Sequence, residues 1–286
     1  MPLSPGAQFR KALTQEKPLQ IVGVINAYAA MMAQHVGFKA LYVSGAGVAN
    51  SSYGLPDLAM TTLDNVLEDV SRIAGAVSTP LLVDIDTGWG NAFMIARTIK
   101  SMIRAGAAAV HIEDQVFEKR CGHRAGKQVV STEEMVARIK AAVVARTDPN
   151  FVIMARTDAF AIEGLEKTIQ RGLAYVEAGA DMLFVEALTE LEHYQKIKSV
   201  IPVPILANMT EFGVTPLFST KELASVGVDM VLYPLSANRA MNLAAVKVFQ
   251  TIRDKGTQFD MLEEMQTREE LYGFLDYENY EKKFNR

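Results

Sequence analysis

The chain holds one cysteine, Cys121, in the stretch EKRCGHRAGK, residues 118–127. Gly122 follows it, and Lys119, Arg120, His123, Arg124 and Lys127 stand close by. Inert cysteines are normally packed among apolar groups, so a thiol in a polar, glycine-containing segment is placed for chemistry. Neighbouring cations favour a thiolate and attract a polyanionic substrate. A nucleophilic role lacks any papain-like or amidase context. The other role is a proton shuttle: a thiol gives its proton to a carbanion and remains as a supported thiolate.

A second constellation is VDIDTGWG, with Asp84 and Asp86 two residues apart. Strand side chains alternate, which predicts both carboxylates on one strand face. With Glu113, from HIEDQ, they supply the hard oxygen ligands that Mg²⁺ or Mn²⁺ prefers, and Mg²⁺ keeps several waters. The competing reading is that a loop aspartate caps the following helix, NAFMIARTIK. Zinc is disfavoured because no second His or Cys has suitable spacing. His111 reads as a hydrogen-bonded strand-end histidine and His193, in TELEHYQKIK, as solvated surface. Arg156 ends the apolar run FVIMA, where a planar fork suits carboxylate binding; the bland reading for Arg156 and Arg239 is surface ion pairing. SGAGVANSSYG lacks the G-x-G-x-x-G spacing and a clear helix start, yet its backbone N–H groups suit an anionic substrate. Walker A and G-x-S-x-G motifs are absent.

These residues need a scaffold, and the chain repeats one. GFKALYVS, GAAAVHIE, GADMLFVE and GVDMVLYP each open with a glycine suited to a left-handed helix end and run into a short apolar strand. PLQIVGVIN, PLLVDID, PNFVIMAR and PILAN follow prolines instead, and the two types alternate along the chain. Helical periodicity fills the gaps, as in TTLDNVLEDVSRIAGAV, NAFMIARTIKSMIRA, STEEMVARIKAAVVA and GLEKTIQRGLAYVEA. Eight apolar strands separated by helices predict an α/β fold, a (β/α)₈ TIM-type barrel, with a doubly wound sheet as the competitor. The expected organisation is a single domain over residues 1–286, with 254–286 as a C-terminal helical extension. The strand ends then carry Tyr42 and Ser44, Asp84 and Asp86, His111 and Glu113, Arg156 and Asp158, Glu186, and Asn208. A barrel enzyme keeps its site at those ends. Cys121 falls in the loop after the fourth strand, long enough for a lid that stands open without ligand.

The 286 residues carry a formal net charge of −4, which gives no basic surface for nucleic acid. One cysteine forms no internal disulfide, fitting a reducing compartment. The first residues lack the apolar core of a signal peptide, and LQIVGVINAYAAMMAQHVGF is too interrupted by polar residues to span a membrane. The expected setting is cytoplasmic, without membrane or nucleic-acid partners.

KRCGH, VDIDTGWG, HIEDQ, MARTDA, FVEALTE and PILANMTEFG together resemble the isocitrate lyase and phosphoenolpyruvate mutase superfamily, from about residue 8 to MQTREELY. KRCGH resembles the methylisocitrate-cleaving branch, whereas isocitrate lyases typically read KKCGH on a much longer chain. The resemblance implies Mg²⁺-dependent, retro-aldol-type cleavage of 2-methylisocitrate to pyruvate and succinate in the methylcitrate route of propionate breakdown. Asp84 and Asp86 then match the metal carboxylates, with Glu113 acting through water. Ser44, Gly45 and Ala46 match a carboxylate-binding segment; Cys121, Gly122, Arg156, Glu186, Asn208, Met209, Thr210, Arg239 and Arg268 match the other substrate contacts. Cys121 is implied as the acid that protonates the succinate aci-carboxylate, with Tyr42 and Arg156 near the reacting hydroxyl. Phe184, before Glu186, suggests room for the extra methyl group. Trp89 stands where phenylalanine is common, which would alter pocket shape, and Ala125 replaces the more usual proline. The superfamily is typically homotetrameric with exchanged C-terminal helices, and the long tail permits that arrangement. Alternatives are a sister lyase acting on 2,3-dimethylmalate, isocitrate or another branched 2-hydroxy diacid, and a non-catalytic carboxylate-binding barrel.

Overall fold

The structure, a computed structural model, describes residues 2–284. Eight parallel strands close into a barrel: β1 (Leu19–Gly23), β2 (Ala40–Val43), β3 (Leu81–Asp84), β4 (Ala109–Glu113), β5 (Val152–Thr157), β6 (Met182–Val185), β7 (Ile205–Asn208) and β8 (Met230–Tyr233). Each pairs with its neighbour in sequence, and β1 closes on β8 with Ile21 opposite Leu232. These are the eight strands expected from the repeat. The four glycines that open alternate strands all adopt the left-handed conformation: Gly37 at φ 104°, Gly106 at 95°, Gly179 at 104° and Gly227 at 84°. That backbone ends a helix and reverses the chain, and a Cβ would strain it.

Strand alternation divides the apolar residues into two cores. Tyr42, Leu82, Met154, Phe184, Leu206 and Leu232 fill the barrel interior. Their neighbours Leu41, Val83, Val110, Ile153 and Leu183 face outward, beneath helices such as Leu63–Ala76, Ala92–Arg104, Thr132–Ala145 and Leu165–Glu177. The amino-terminal helix Pro5–Gln15 is capped by the Ser4 side chain, which accepts from the Ala7 N–H, and Pro5 supplies a preset first turn. Its Phe9, fully buried, packs with Leu19, Ala108, Val152 and Met230 at the starts of strands and closes that end of the barrel. Gly6 makes the approach feasible, because a Cβ there would lie 2.5 Å from the backbone of Asn150.

The chain divides into two compact units, Met1–Ser236 and Ala237–Arg286. The second comprises most of the helix Ser236–Lys255, the 3₁₀ turn Phe259–Glu264 and the helices Arg268–Leu275 and Tyr277–Phe284. Among the described residues no helix is long and apolar enough to cross a membrane.

Replacing Phe9 with alanine empties a sealed, rigid space, so Phe9→Ala should lower unfolding free energy by about 3–5 kcal/mol. Chemical denaturation of the two proteins measures the difference.

Candidate active site

Asp84 is the last residue of β3, but Asp86 lies beyond the strand. The chain turns there with Asp86 at φ 48°, an uncommon conformation for a residue with a side chain. The Asp86 N–H donates to Asp84 Oδ1 at 3.0 Å, which ties the turn to the first carboxylate. The pair therefore meets through a strained turn and not through strand alternation. Neither aspartate caps the next helix: Asn91 does, accepting from the N–H groups of Phe93 and Met94. The capping alternative is thereby excluded. SGAG does begin a short helical turn, Gly45–Gly47, with the Ser44 hydroxyl accepting from the Gly47 N–H. The Gly45 N–H donates to Asp84 Oδ2 at 3.2 Å, and a Cβ at Gly45 would sit 3.1 Å from that oxygen and 3.2 Å from Asp86 Oδ1.

Around this pair the barrel mouth buries five carboxylates, Asp84, Asp86, Glu113, Asp158 and Glu186, against three cations, Lys119, Lys127 and Arg156. Lys119 Nζ lies 2.7 Å from Asp86 Oδ1 and 2.5 Å from Asp57 Oδ1. Arg156 spends its fork on the chain's own carboxylates, reaching Asp158 at 2.9 Å, Glu186 at 3.1 Å and Glu113 at 3.3 Å. Burial opposes ionisation of Asp84, yet His111, Lys119, Arg156 and the Asp86 N–H outweigh it and hold Asp84 at about 2. Asp86 differs: burial pushes it up to about 6, with Lys119 pulling against that and Asp84 adding repulsion. Burial likewise lifts Glu113 well above the usual carboxylate range despite Arg156, and Glu113 Oε1 has no hydrogen-bond partner. Among the described residues no three His, Cys, Asp or Glu side chains close around one ion position. Two converging carboxylates, a third with an unpartnered oxygen, and surplus buried negative charge fit a hydrated divalent cation.

Tyr42 and His111 form the floor. Tyr42 Oη is 2.9 Å from His111 Nε2 and 3.4 Å from Asp84 Oδ2. Burial, and then Asp84, push the phenol well above its usual value, so Tyr42 acts here as a hydrogen-bond donor. His111, in the middle of β4 and not at its end, is fully buried with a hydroxyl partner, and burial holds it down at about 4. Phe184 lies edge-on to His111 and face-on to the Arg156 guanidinium, 4.9 Å from the ring centre. It is packed between these two site residues.

The Cys121 loop runs from β4 to the helix Thr132–Ala145 and lies down over the mouth instead of standing open. His123 Nε2 is 3.0 Å from Glu186 Oε1, and His123 Nδ1 accepts from the Val214 N–H at 3.2 Å. Glu186 is held at about 2 against its burial by Arg156 and His123. Lys119 and Lys127 point to Asp86 and Asp158, so these two cations dock the loop. Gly122 is the closest approach. A Cβ there would fall 2.5 Å from Arg156 Nη2 and 2.5 Å from Glu186 Cγ.

Of the remaining expected positions, Asn208 donates toward both oxygens of Glu186 at 3.3 Å and keeps its own buried Oδ1 unpartnered. Met209 turns its side chain into the outer core, leaving only backbone near the mouth, while Ala46 and Thr210 are half-buried. Arg239 and Arg268 are exposed side chains of the second unit. His193 is not solvated surface: it is half-buried, with its ring 4.9 Å from that of Phe160. Trp89 packs on the outer core and donates to the Thr61 carbonyl at 3.1 Å. Sequence reasoning missed Asp57, whose approach from the β2 side has no local signal. It also passed over Asp158 as a partner, although its spacing from Arg156 places both at one strand end.

A (β/α)₈ barrel whose strand ends gather buried carboxylates, an arginine and a loop-borne thiol belongs among enzymes of carboxylate chemistry. The profile for phosphoenolpyruvate phosphomutase matches residues 9–253, and the chain belongs to that family. It is 63% identical over 285 residues to the 2-methylisocitrate lyase of Shewanella oneidensis, covering 100% of this chain and 98% of that one. Among solved structures it resembles 2,3-dimethylmalate lyase, with a TM-score of 0.90 and 34% identity over 99% of this chain and 95% of that one. It also resembles phosphonopyruvate hydrolase complexed with oxalate and Mg²⁺, with a TM-score of 0.86 and 28% identity over 99% of this chain and 100% of that one. Within the family the chain sides with the carbon–carbon lyases.

Because Gly122 has no space for a methyl group, Gly122→Ala should hold the loop off the mouth while the barrel stays folded. Turnover should fall about 100-fold, the scale of a misplaced catalytic group. Steady-state kinetics beside a thermal melt checks both halves.

Proposed function

We propose that this chain cleaves the C2–C3 bond of 2-methylisocitrate to pyruvate and succinate, with Mg²⁺, or Mn²⁺ in its place, held at Asp84 and Asp86. Glu113 would reach the cation through water, using the oxygen that lacks a partner. When bound, the cation supplies a Lewis acid for the C2 oxygen and the adjoining carboxylate. The observation that carries the reading is the loop: Lys119 and His123, on either side of its single cysteine, seat it on Asp86 and Glu186, in a chain 63% identical to a lyase of that substrate.

In the reaction a buried carboxylate of the mouth takes the C2 hydroxyl proton, the O–H electron pair forms the carbonyl of pyruvate, and C2–C3 breaks to leave its electron pair on the carbon that becomes part of succinate. Negative charge then spreads into the neighbouring carboxylate, so preorganised donors stabilise it. Backbone N–H groups of the Ser44–Ala46 turn, the Arg156 fork and the Asn208–Thr210 segment are the donors assigned to the substrate carboxylates; Glu186 orients Arg156 and Asn208. Arg239 and Arg268 are assigned to the same task. Cys121 gives its proton to the carbanion, completing succinate. The buried Tyr42 phenol, which keeps its proton, donates beside Asp84. We further propose a cytoplasmic homotetramer with exchanged C-terminal helices, supported by the exposed apolar side chains Leu243, Val246 and Phe249 on the helix Ser236–Lys255.

Three outcomes test this reading. Purified protein with Mg²⁺ should show a kcat/KM for 2-methylisocitrate about 10–200-fold above that for isocitrate, the worth of one methyl in an apolar pocket. Pyruvate release is the assay, with 2,3-dimethylmalate as the third acid, and a preference for either other acid reassigns the substrate. Asp84→Ala and Asp86→Ala should abolish the Mg²⁺ response of turnover, and unchanged titration curves in both would remove the metal site. Cys121→Ser should lose about 10²–10⁴-fold in kcat while still binding succinate, because a hydroxyl is a poor proton donor in place of a thiol.

A further inference from the structure

We propose that Gln115 and Lys127 are positioning residues that grip the backbone on either side of Cys121 and so fix where its thiol points. The proposal rests on the reading of Cys121 as the proton donor. Gln115 is fully buried just past the end of β4. Its side-chain amide takes both backbone groups of Arg120: Nε2 donates to the carbonyl at 2.9 Å, and Oε1 accepts from the N–H at 3.1 Å. On the far side, the buried Lys127 Nζ donates to the Gly122 carbonyl at 2.5 Å and to Asp158 Oδ1 at 2.9 Å. Between the two grips, the Arg124 N–H donates to the Cys121 carbonyl at 3.0 Å. Three consecutive carbonyls, those of residues 120, 121 and 122, are therefore each tied down by a different partner.

The anchors are themselves held. The loop neck is a short antiparallel bridge between Gln115 and Val129, flanked by Val116 N–H to Gln128 O at 3.0 Å and Val130 N–H to Asp114 O at 2.8 Å. Asp158, which receives Lys127, has its own N–H on Asp114 Oδ1 at 2.9 Å. Both grips thus trace back to the ends of β4 and β5. A surface loop normally leaves its carbonyls to water, whereas this one commits a buried amide and a buried ammonium to two of them. Fixing a side chain in space is what such an outlay achieves, since catalytic groups work only within a narrow geometry.

The test uses the fact that the chain has one cysteine, so alkylation by iodoacetamide reports on Cys121 alone. Gln115→Glu keeps the acceptor for the Arg120 N–H but removes the donor to its carbonyl; Lys127→Gln loosens the opposite flank. Gln115→Asn, one methylene shorter, serves if the glutamate variant does not fold. In folded variants with wild-type melting temperatures, alkylation should quicken roughly threefold to tenfold, the weight of one lost hydrogen bond. On 2-methylisocitrate, kcat should fall about 100-fold with KM little changed. Wild-type alkylation and kcat on both flanks overturns the proposal, and so does lost kcat with unchanged alkylation. If the wild-type chain leaves 2-methylisocitrate uncleaved, the substrate reading falls while the alkylation rates still decide the grip.

Discussion

Ionisable groups withdrawn from water have to be compensated where they lie, and the mouth of this barrel withdraws eight of them. Every cation there serves more than one acceptor. Arg156 spans Glu113, Asp158 and Glu186; Lys119 joins Asp57 to Asp86; Lys127 joins Asp158 to a loop carbonyl. Removing one partner leaves another buried and unpaired, so the network forms as a whole. Its negative surplus is concentrated at Asp84, Asp86 and Glu113, and two of those three have carboxyls pushed upward by burial. That is the electrostatic condition under which a divalent cation binds.

The same network decides the position of the loop. Its lysines and His123 would each be costly to bury alone, and each finds a carboxylate at or just past a different strand end. Lys119 reaches the β3 turn, Lys127 the end of β5 and His123 the end of β6. Closure of the loop and completion of the charge pairing are thus one event. Steric room is the second condition. Gly122 meets Arg156 and Glu186 at distances that leave no space for a side chain, and Gly45 meets the aspartate pair in a tight fit. The left-handed turn at Asp86 is local strain retained because the Asp84 carboxylate and the Gly45 backbone lock the turn in place.

A rigid barrel with a docked thiol loop suits chemistry that makes a carbanion. Water must be kept from the electron pair until the intended acid reaches it, and strand ends hold carboxylate-binding groups without motion. The family relationship agrees with this design, since the structures it resembles include a lyase of 2,3-dimethylmalate and a hydrolase of phosphonopyruvate. What separates the branches is carried by loops and side chains on a shared frame.

The strands were legible because a buried parallel strand demands an unbroken apolar run and a helix end demands a left-handed residue, which glycine supplies four times over. The acidic pair, Arg156, Glu186 and the odd setting of Cys121 were legible too, since polar residues at the ends of apolar runs have few other uses. What the sequence did not hold was pairing. Nothing near Lys119 names Asp57 as its partner, and nothing near His123 names Glu186 and Val214, because those contacts join segments far apart in the chain. Asp86 was foreseen beside Asp84 for the wrong reason, alternation carried two residues past the end of β3. Phe184 and Met209 show the same limit: residue type marks them as apolar, but only the closed barrel decides whether they face a cation, a core or a substrate. Local backbone preferences act over a few residues and are written in the sequence; charge compensation and steric fit act across space and are settled only when the barrel closes.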